Sequence, residues 1–375
     1  MPKDIVLACT VCRREYPAQE PRWKCDCGGL LDVRFTPAFK PGMVKGRKPT
    51  MWRYREAIPV ARDQDIVSFD EGFTPLLSVD FDGRSVLIKQ DHLFPTGSYK
   101  DRGASVLISQ AKAMGVTSVV EDSSGNAGCA IAAYCALAGI ECSIYVPDDT
   151  AAAKLAQIQH YRSSLHRIPG SREDTAAAIL QAARSTYYAS HSWNPFFFHG
   201  TKTFAYEVCE QLGWKAPDAV IVPVGNGTLL LGVAIGFEEL LDAGVIERAP
   251  RLIAVQAENC APLHNAFKRN LPDIVDVPTQ TTLGEGIAIA RPIRSRQILE
   301  AVRRSGGDFL TVSDDEIVRS LKDICRRGYY IEPTSAATTA GIAKYVKQGG
   351  DGRTLVSVFT GHGLKATEKM LKVLH

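Results

Sequence analysis

Two hydrophobic patterns alternate along this chain from residue 86 onward. Short runs rich in apolar and β-branched residues at 86–89, 118–121, 142–146, 165–168, 220–224, 252–256, 309–312 and 355–359 predict strands. Between them, apolar residues recur near helical spacing over 104–114, 127–138, 175–184, 202–212, 229–240 and 316–327, which predicts helices. Strands alternating with helices imply an α/β fold with a mostly parallel sheet. Such sheets bind ligands beyond the carboxyl ends of their strands, often at helix N-termini. The first 85 residues lack this alternation. Residues 40–68 read as a linker with Pro41, Gly42, Gly46 and Pro49 and a short helical piece at 54–57, and 71–76 reads as a turn before the first strand.

Composition narrows the class. With 375 residues, 45% hydrophobic and 23% charged, the chain has the make-up of a soluble globular protein of two or three domains. A net charge of +3 gives no whole-chain field toward nucleic acid or membrane, and no run approaches the ~20 apolar residues of a membrane span. The amino terminus has no signal-peptide pattern, so a cytoplasmic protein is expected. Six of the ten cysteines, Cys129, Cys135, Cys142, Cys209, Cys260 and Cys325, lie among apolar neighbours and read as reduced core residues. The other four are different. Cys9 and Cys12, then Cys25 and Cys27, form two close pairs with twelve residues between them, an arrangement that suits one tetrahedral structural zinc ion. Residues 1–60 hold twelve Lys/Arg against six Asp/Glu, which reads as a solvated basic face rather than a nucleic-acid surface.

Candidate chemistry centres on Lys100, at the joint between the polar turn Pro95-Thr96-Gly97-Ser98-Tyr99 and the helical pattern that follows. Held there by the fold, a lysine can lose its proton where burial or a neighbouring cation lowers its pKa, and a neutral amine forms a Schiff base with an aldehyde. Three strand-to-helix loops accompany it. Ser123-Ser124-Gly125-Asn126-Ala127-Gly128 has small residues whose N–H groups suit a carboxylate, and Asn126 suits a ring oxygen. Val224-Gly225-Asn226-Gly227-Thr228 suits a phosphate at the start of a helix. The third is Thr360-Gly361-His362-Gly363-Leu364-Lys365. The loops have neither the dinucleotide nor the P-loop spacing. A Schiff-base lysine, a phosphate cradle and a carboxylate loop together are what pyridoxal phosphate (PLP) and a small amino-acid substrate require.

These segments resemble one known group. Pro95 to Gly103 resembles the lysine motif of threonine synthases within the fold type II PLP enzymes, with Tyr99 where Phe is usual. Glu71-Gly72-Phe73-Thr74-Pro75-Leu76, Ser124 to Gly128, Val222 to Gly227 and Thr360 to Lys365 match the same family in the same order, and the cysteine pairs resemble an element of many members. The resemblance implies a tryptophan synthase β-like architecture of two Rossmann-like α/β domains with the cofactor in the cleft. The expected boundaries are a zinc-ribbon-like segment at 1–40, a large domain from 50–90 and 205–375, and a small domain at 91–204. It also implies a homodimer and roles for residues. Lys100 would carry PLP and shuttle protons, Asn126 would meet the 3′-oxygen, and Gly225, Asn226, Gly227 and Thr228 would hold the phosphate. Thr360 would face the ring nitrogen, and Ser123, Ser124 and Ala127 would bind the substrate carboxylate. A hydroxyl at Thr360 does not stabilise a protonated ring, which favours elimination and replacement over transamination.

One segment departs from the family. Ser192-Trp193-Asn194-Pro195 and Gly200-Thr201-Lys202-Thr203 match, but Phe196-Phe197-Phe198-His199 stands where many threonine synthases carry a phosphate-binding arginine. Phe197 would then line an apolar substrate pocket, unless Lys202, Arg162, Arg291 or Arg294 supplies the charge. Glu285-Gly286-Ile287-Ala288 with Arg291-Pro292 looks more like threonine or serine ammonia-lyases, and Glu332-Pro333-Thr334-Ser335-Ala336 occurs in both groups. The expected function is thus a PLP-dependent lyase, first a threonine synthase acting on O-phosphohomoserine and water. The alternatives are a threonine/serine ammonia-lyase or β-replacement on O-phosphoserine of the cysteate synthase type.

Overall fold

The computed structural model describes residues 4–150, 152–170, 172–350 and 352–374. In chain order its elements are β1 (Val6–Cys9), β2 (Glu15–Pro17), β3 (Leu31–Arg34), β4 (Leu76–Phe81), β5 (Arg84–Lys89), α1 (Lys100–Ala113), β6 (Ser118–Glu121), α2 (Asn126–Ala138), β7 (Glu141–Pro147), α3 (Ala152–His160), β8 (Ser164–Ile168), α4 (Arg172–Ala182) and β9 (Tyr187–Tyr188). There follow α5 (Phe196–Thr201), α6 (Thr203–Gln211), β10 (Ala219–Pro223), α7 (Thr228–Asp242), β11 (Arg251–Ala257), α8 (Pro262–Lys268), α9 (Ser295–Arg304), β12 (Asp308–Val312), α10 (Asp314–Arg326), α11 (Pro333–Lys347), β13 (Leu355–Val358) and α12 (Thr367–Leu374). Every expected strand forms within two residues of its expected bounds.

The chain divides into two compact units. Unit 1 comprises Met1–Gly72 and Lys100–Thr201. Its main sheet is parallel, in the order β8-β7-β6-β9, and a three-stranded antiparallel ribbon, β2-β1-β3, carries the cysteine pairs. The helix α2 is buried along most of its length and ends at Gly139, whose φ of +69° provides a left-handed stop. Unit 2 comprises Phe73–Tyr99 and Lys202–His375. Its six-stranded sheet runs β12-β11-β10-β13-β5-β4, parallel except for β4, which pairs antiparallel with β5. The wholly buried β10 sits at its centre.

Three findings differ from the sequence-based division. The turn expected at 71–76 leads into a strand of its own, β4, which alternates exposed residues with buried Val79 and Phe81 and so offers no continuous apolar run. Residues 50–72 belong with unit 1, because Met51, Trp52, Ile58 and Val60 complete the core under the ribbon. That core also takes in Val106 of α1 and Phe196 of α5, so the segment 1–40 shares its interior with the helices that follow. Residues 91–99 belong with unit 2. Among the described residues no helix is long and apolar enough to cross a membrane.

Candidate active site

The expected site residues fall into two groups, one in each unit. Unit 1 holds Lys100, Ser123, Ser124, Asn126, Ala127 and Phe197. Half-buried Lys100 is the first residue of α1. Its Nζ lies 5.5 Å from the centre of the Phe197 ring, which is fully buried. The same ring lies against Gly103, where a Cβ would fall 2.3 Å from it, so the motif glycine lets α1 and α5 approach. After β6 the chain turns through 123–125 into α2, with the Gly125 N–H donating to Ser123 Oγ at 3.3 Å. Gly128 closes this loop: a Cβ there would sit 1.8 Å from the Ser123 carbonyl oxygen.

Two residues that the sequence did not flag stand beside this group. Glu121 ends β6 fully buried, and His191 Nδ1 lies 2.8 Å from its Oε1. The other carboxyl oxygen, Oε2, is buried with no hydrogen-bond partner. Burial pushes the Glu121 carboxyl up to about 8. Burial, aided by the Lys100 charge, brings His191 down to about 3, so both groups are uncharged near neutral pH. Burial and the charge of Glu121 lift Asp122 to about 6.

This cluster makes stability depend on pH. Unfolded, Glu121 releases its proton near its ordinary 4.5, whereas the folded chain keeps it to about 8, so over that span the folded state holds more protons and stability falls as pH rises. Asp122 acts in the same sense from 3.8 to about 6. His191 acts oppositely: from about 3 to 6.5 only the unfolded chain binds its proton, and stability rises. Above 6.5 Glu121 alone of these three remains. Its contribution to stability should drop by about 2 kcal/mol between pH 6.5 and 8, read as the difference between wild type and Glu121→Gln in urea titrations over that span.

Unit 2 holds Gly225, Asn226, Gly227, Thr228 and Thr360. Gly227 precedes α7 at φ +73° and offers no side-chain cap. Gly225 is pressed against 286–287, where a Cβ would fall 2.9 Å from the Gly286 carbonyl oxygen. Thr360 is buried in a hydroxyl network. Its N–H and that of Gly361 donate to Ser335 Oγ at 2.8 and 3.1 Å, its own Oγ1 lies 2.8 Å from that oxygen, and it donates to Glu332 Oε1 at 3.3 Å. Tyr99, the residue before Lys100, ties into both parts of this group. Its N–H donates to the Thr360 carbonyl at 3.0 Å, and its hydroxyl lies 2.9 Å from that of Thr228.

The cations considered for a substrate phosphate are mostly engaged elsewhere. Fully buried Lys202 pairs with Glu239 at 2.6 Å, exposed Arg291 pairs with Asp276, and buried Arg294 donates to Gln297 at 2.7 Å. Arg162 is exposed in a turn at φ +60°.

The pyridoxal-phosphate dependent enzyme family matches residues 67–361. Threonine synthase of Methanocaldococcus jannaschii is 34% identical over 98% of this chain and 95% of its own length. This chain belongs to the threonine synthase family of PLP-dependent enzymes. Another relative, threonine synthase of Mycobacterium bovis, is 35% identical over 85% of this chain and 89% of its own. The solved structure of the processed form of threonine deaminase isoform 2 from Solanum lycopersicum superposes with a TM-score of 0.70, covering 90% of this chain and 93% of that one at 20% identity. The threonine synthase family member described here is therefore a PLP-dependent lyase of fold type II.

Each unit taken by itself holds residues whose chemistry suits a part of the cofactor. Lys100 supplies an amine, and a phosphate accepting from the first turn of α7 would do what a Ser or Asp side chain does at other helices. The buried Thr360 hydroxyl offers an uncharged partner for a ring nitrogen. The four cysteines have the spacing that a zinc ion would need. The four Sγ atoms lie within 4.8 Å of one another, with 3.6 Å from Cys9 to Cys27 and 3.5 Å from Cys12 to Cys25. A zinc ion ~2.3 Å from each of four sulfurs sets them about 3.8 Å apart.

Proposed function

We propose that this chain is a threonine synthase, converting O-phosphohomoserine and water into threonine and phosphate. The observation that carries this reading is the match to the Methanocaldococcus jannaschii threonine synthase over 98% of the chain. PLP, when bound, supplies the electron sink that lets a proton leave the substrate's α-carbon. Lys100 would hold the cofactor and move protons at Cα, Cβ and Cγ. Gly225, Asn226, Gly227 and Thr228 would grip its phosphate, with Tyr99 orienting the Thr228 hydroxyl. Asn126 would donate to the ring oxygen, and Thr360, braced by Ser335 and Glu332, would meet the ring nitrogen. Ser123, Ser124 and Ala127 would bind the substrate carboxylate, and Phe197 would form the apolar wall beside the Lys100 amine. Cys9, Cys12, Cys25 and Cys27 would hold one structural zinc. We read the enzyme as a cytoplasmic homodimer.

A second reading has its own support. The 196–199 segment has no arginine, and Lys202 and Arg291 are already paired with carboxylates. With these two cations paired elsewhere, an unphosphorylated substrate is favoured, as in threonine/serine ammonia-lyases. Purified holoenzyme tested on O-phosphohomoserine, threonine, serine, and O-phosphoserine with sulfite separates the readings. Threonine and phosphate from the first substrate are expected. A 2-oxo acid and ammonia from threonine or serine alone would carry the second reading, and turnover confined to O-phosphoserine with sulfite the cysteate synthase type. Phe197→Arg is expected to lower stability by several kcal/mol, because the position is fully buried and a guanidinium there would be desolvated and too large for its space. A stable variant with better use of the phosphorylated substrate would instead mean that the position opens onto the substrate.

A further inference from the structure

The reaction proposed above expels an oxygen leaving group from carbon. Hydroxide leaves only if its oxygen gains a proton, a phosphate dianion leaves more readily as hydrogen phosphate than as the trianion, and Lys100 is engaged with the protons on carbon. Resting on that reading, we propose that His191 gives the proton to the departing oxygen, and that Glu121, through its hydrogen bond to Nδ1, positions the imidazole and replaces the proton.

The placement supports these roles. Glu121 is the last residue of β6, at the carboxyl end of a parallel strand and directly before the 122–125 turn that leads to Asn126. His191 has 13% of its side chain exposed while Glu121 has none, so the ring can meet a substrate and the carboxyl cannot. His191 and Lys100 both lie against the Phe197 ring, with the His191 ring centre at 6.1 Å and Lys100 Nζ at 5.5 Å. Glu121 Oε2 has no hydrogen-bond partner. A carboxylate there would be a buried charge with one oxygen bare, so the protonated carboxyl is the stable form. In the proposed resting state the proton sits on Oε1 and is donated to Nδ1, which places the imidazole proton on Nε2. The other titratable groups acting on the pair are Lys100 of α1, Asp122, Tyr188 of β9 and Cys135 of α2. Lys100 disfavours a charged His191 and favours a charged Glu121.

The step balances. As the carbon–oxygen bond breaks, its electron pair goes to oxygen. The Nε2–H bond breaks and an O–H bond forms, so phosphate departs as hydrogen phosphate. The Glu121 proton passes to Nδ1, leaving a neutral imidazole and a carboxylate facing the positive field of Lys100. Water returns the lost proton after product leaves.

The test compares leaving groups that need a proton with halides that do not. Holoenzyme, His191→Asn and Glu121→Gln are assayed on O-phosphohomoserine against 2-amino-4-chlorobutanoate, and on serine against 3-chloroalanine. His191→Asn should lower kcat on the oxygen substrate about a hundredfold while the chloride substrate changes less than about threefold. Glu121→Gln, which keeps a donor toward Nδ1 but cannot pass a proton, should lower kcat on the oxygen substrate about tenfold and remove the alkaline fall of the wild-type profile. Equal losses on both substrates, or none on either, would overturn the proposal. If wild type takes only the serine pair, the threonine synthase reading fails and the acid role is judged on that pair. Nitrogen NMR of wild-type holoenzyme is a check independent of the variants: His191 should carry its proton on Nε2 at neutral pH, and a proton on Nδ1 alone would contradict the assignment.

Discussion

Replacing Lys100 with alanine should cut turnover about 10³-fold or more while leaving the fold intact. Lys100 is half-buried at the first position of α1, whose inner face is supplied by the residues after it, so truncation removes an amine and little packing. The amine is the only chemical group in the sequence motif able to hold an aldehyde cofactor covalently, and positioned proton transfer alone is worth about 10² to 10⁴ in rate. The variant should still bind PLP weakly through 225–228, which its change does not touch. Borohydride treatment of wild type, followed by peptide mass analysis, should find the cofactor fixed to the peptide bearing Lys100. Full activity in Lys100→Ala would contradict the assignment.

The second large effect is expected at the ribbon. Cys9 and Cys25 are buried within the same core as Leu7, Leu31, Met51, Trp52, Val106 and Phe196. Their sulfurs also belong to the four-thiol cluster. Replacing Cys9 and Cys12 with serine should abolish zinc binding and lower stability by several kcal/mol, because metal binding free energy is folding free energy when the site forms only in the folded chain. The loss should spread to the helices of unit 1, since Val106 and Phe196 lie on α1 and α5. A closed four-thiolate site has no open position for chemistry, so molecules that remain folded should keep kcat within about twofold. Metal analysis of protein purified without chelator should find one zinc per chain, and urea titration measures the stability change.

Most of the parallel strands of unit 2 were legible because strands buried on both faces read as nearly unbroken apolar runs. Ala219–Pro223 is such a case, with every residue buried. By contrast, β8 is largely exposed and was marked by its place in the strand–helix alternation. The edge strand β4 alternates, and β9 is two residues long, so neither leaves a run to find. The loops at 123–128 and 225–228 could be found for the same reason as the strands, since each follows one directly and its small residues are contiguous. The rest of the site depends on distant pairs. Glu121 and His191 are 70 positions apart, and Tyr99 and Thr228 are 129 apart. Glu121 reads only as the polar end of a short strand until β9 pairs beside β6 and the chain returns to His191. The division at residue 72 was also hidden, because Met51 and Trp52 look like linker residues until the ribbon core needs them.

The central claim is tested most directly by running the reaction on O-phosphohomoserine in water enriched in oxygen-18. Elimination followed by addition of water at Cβ should give threonine with the heavy oxygen in its hydroxyl group and released phosphate with none. Homoserine with labelled phosphate, or 2-oxobutanoate and ammonia as the main products, would contradict the account.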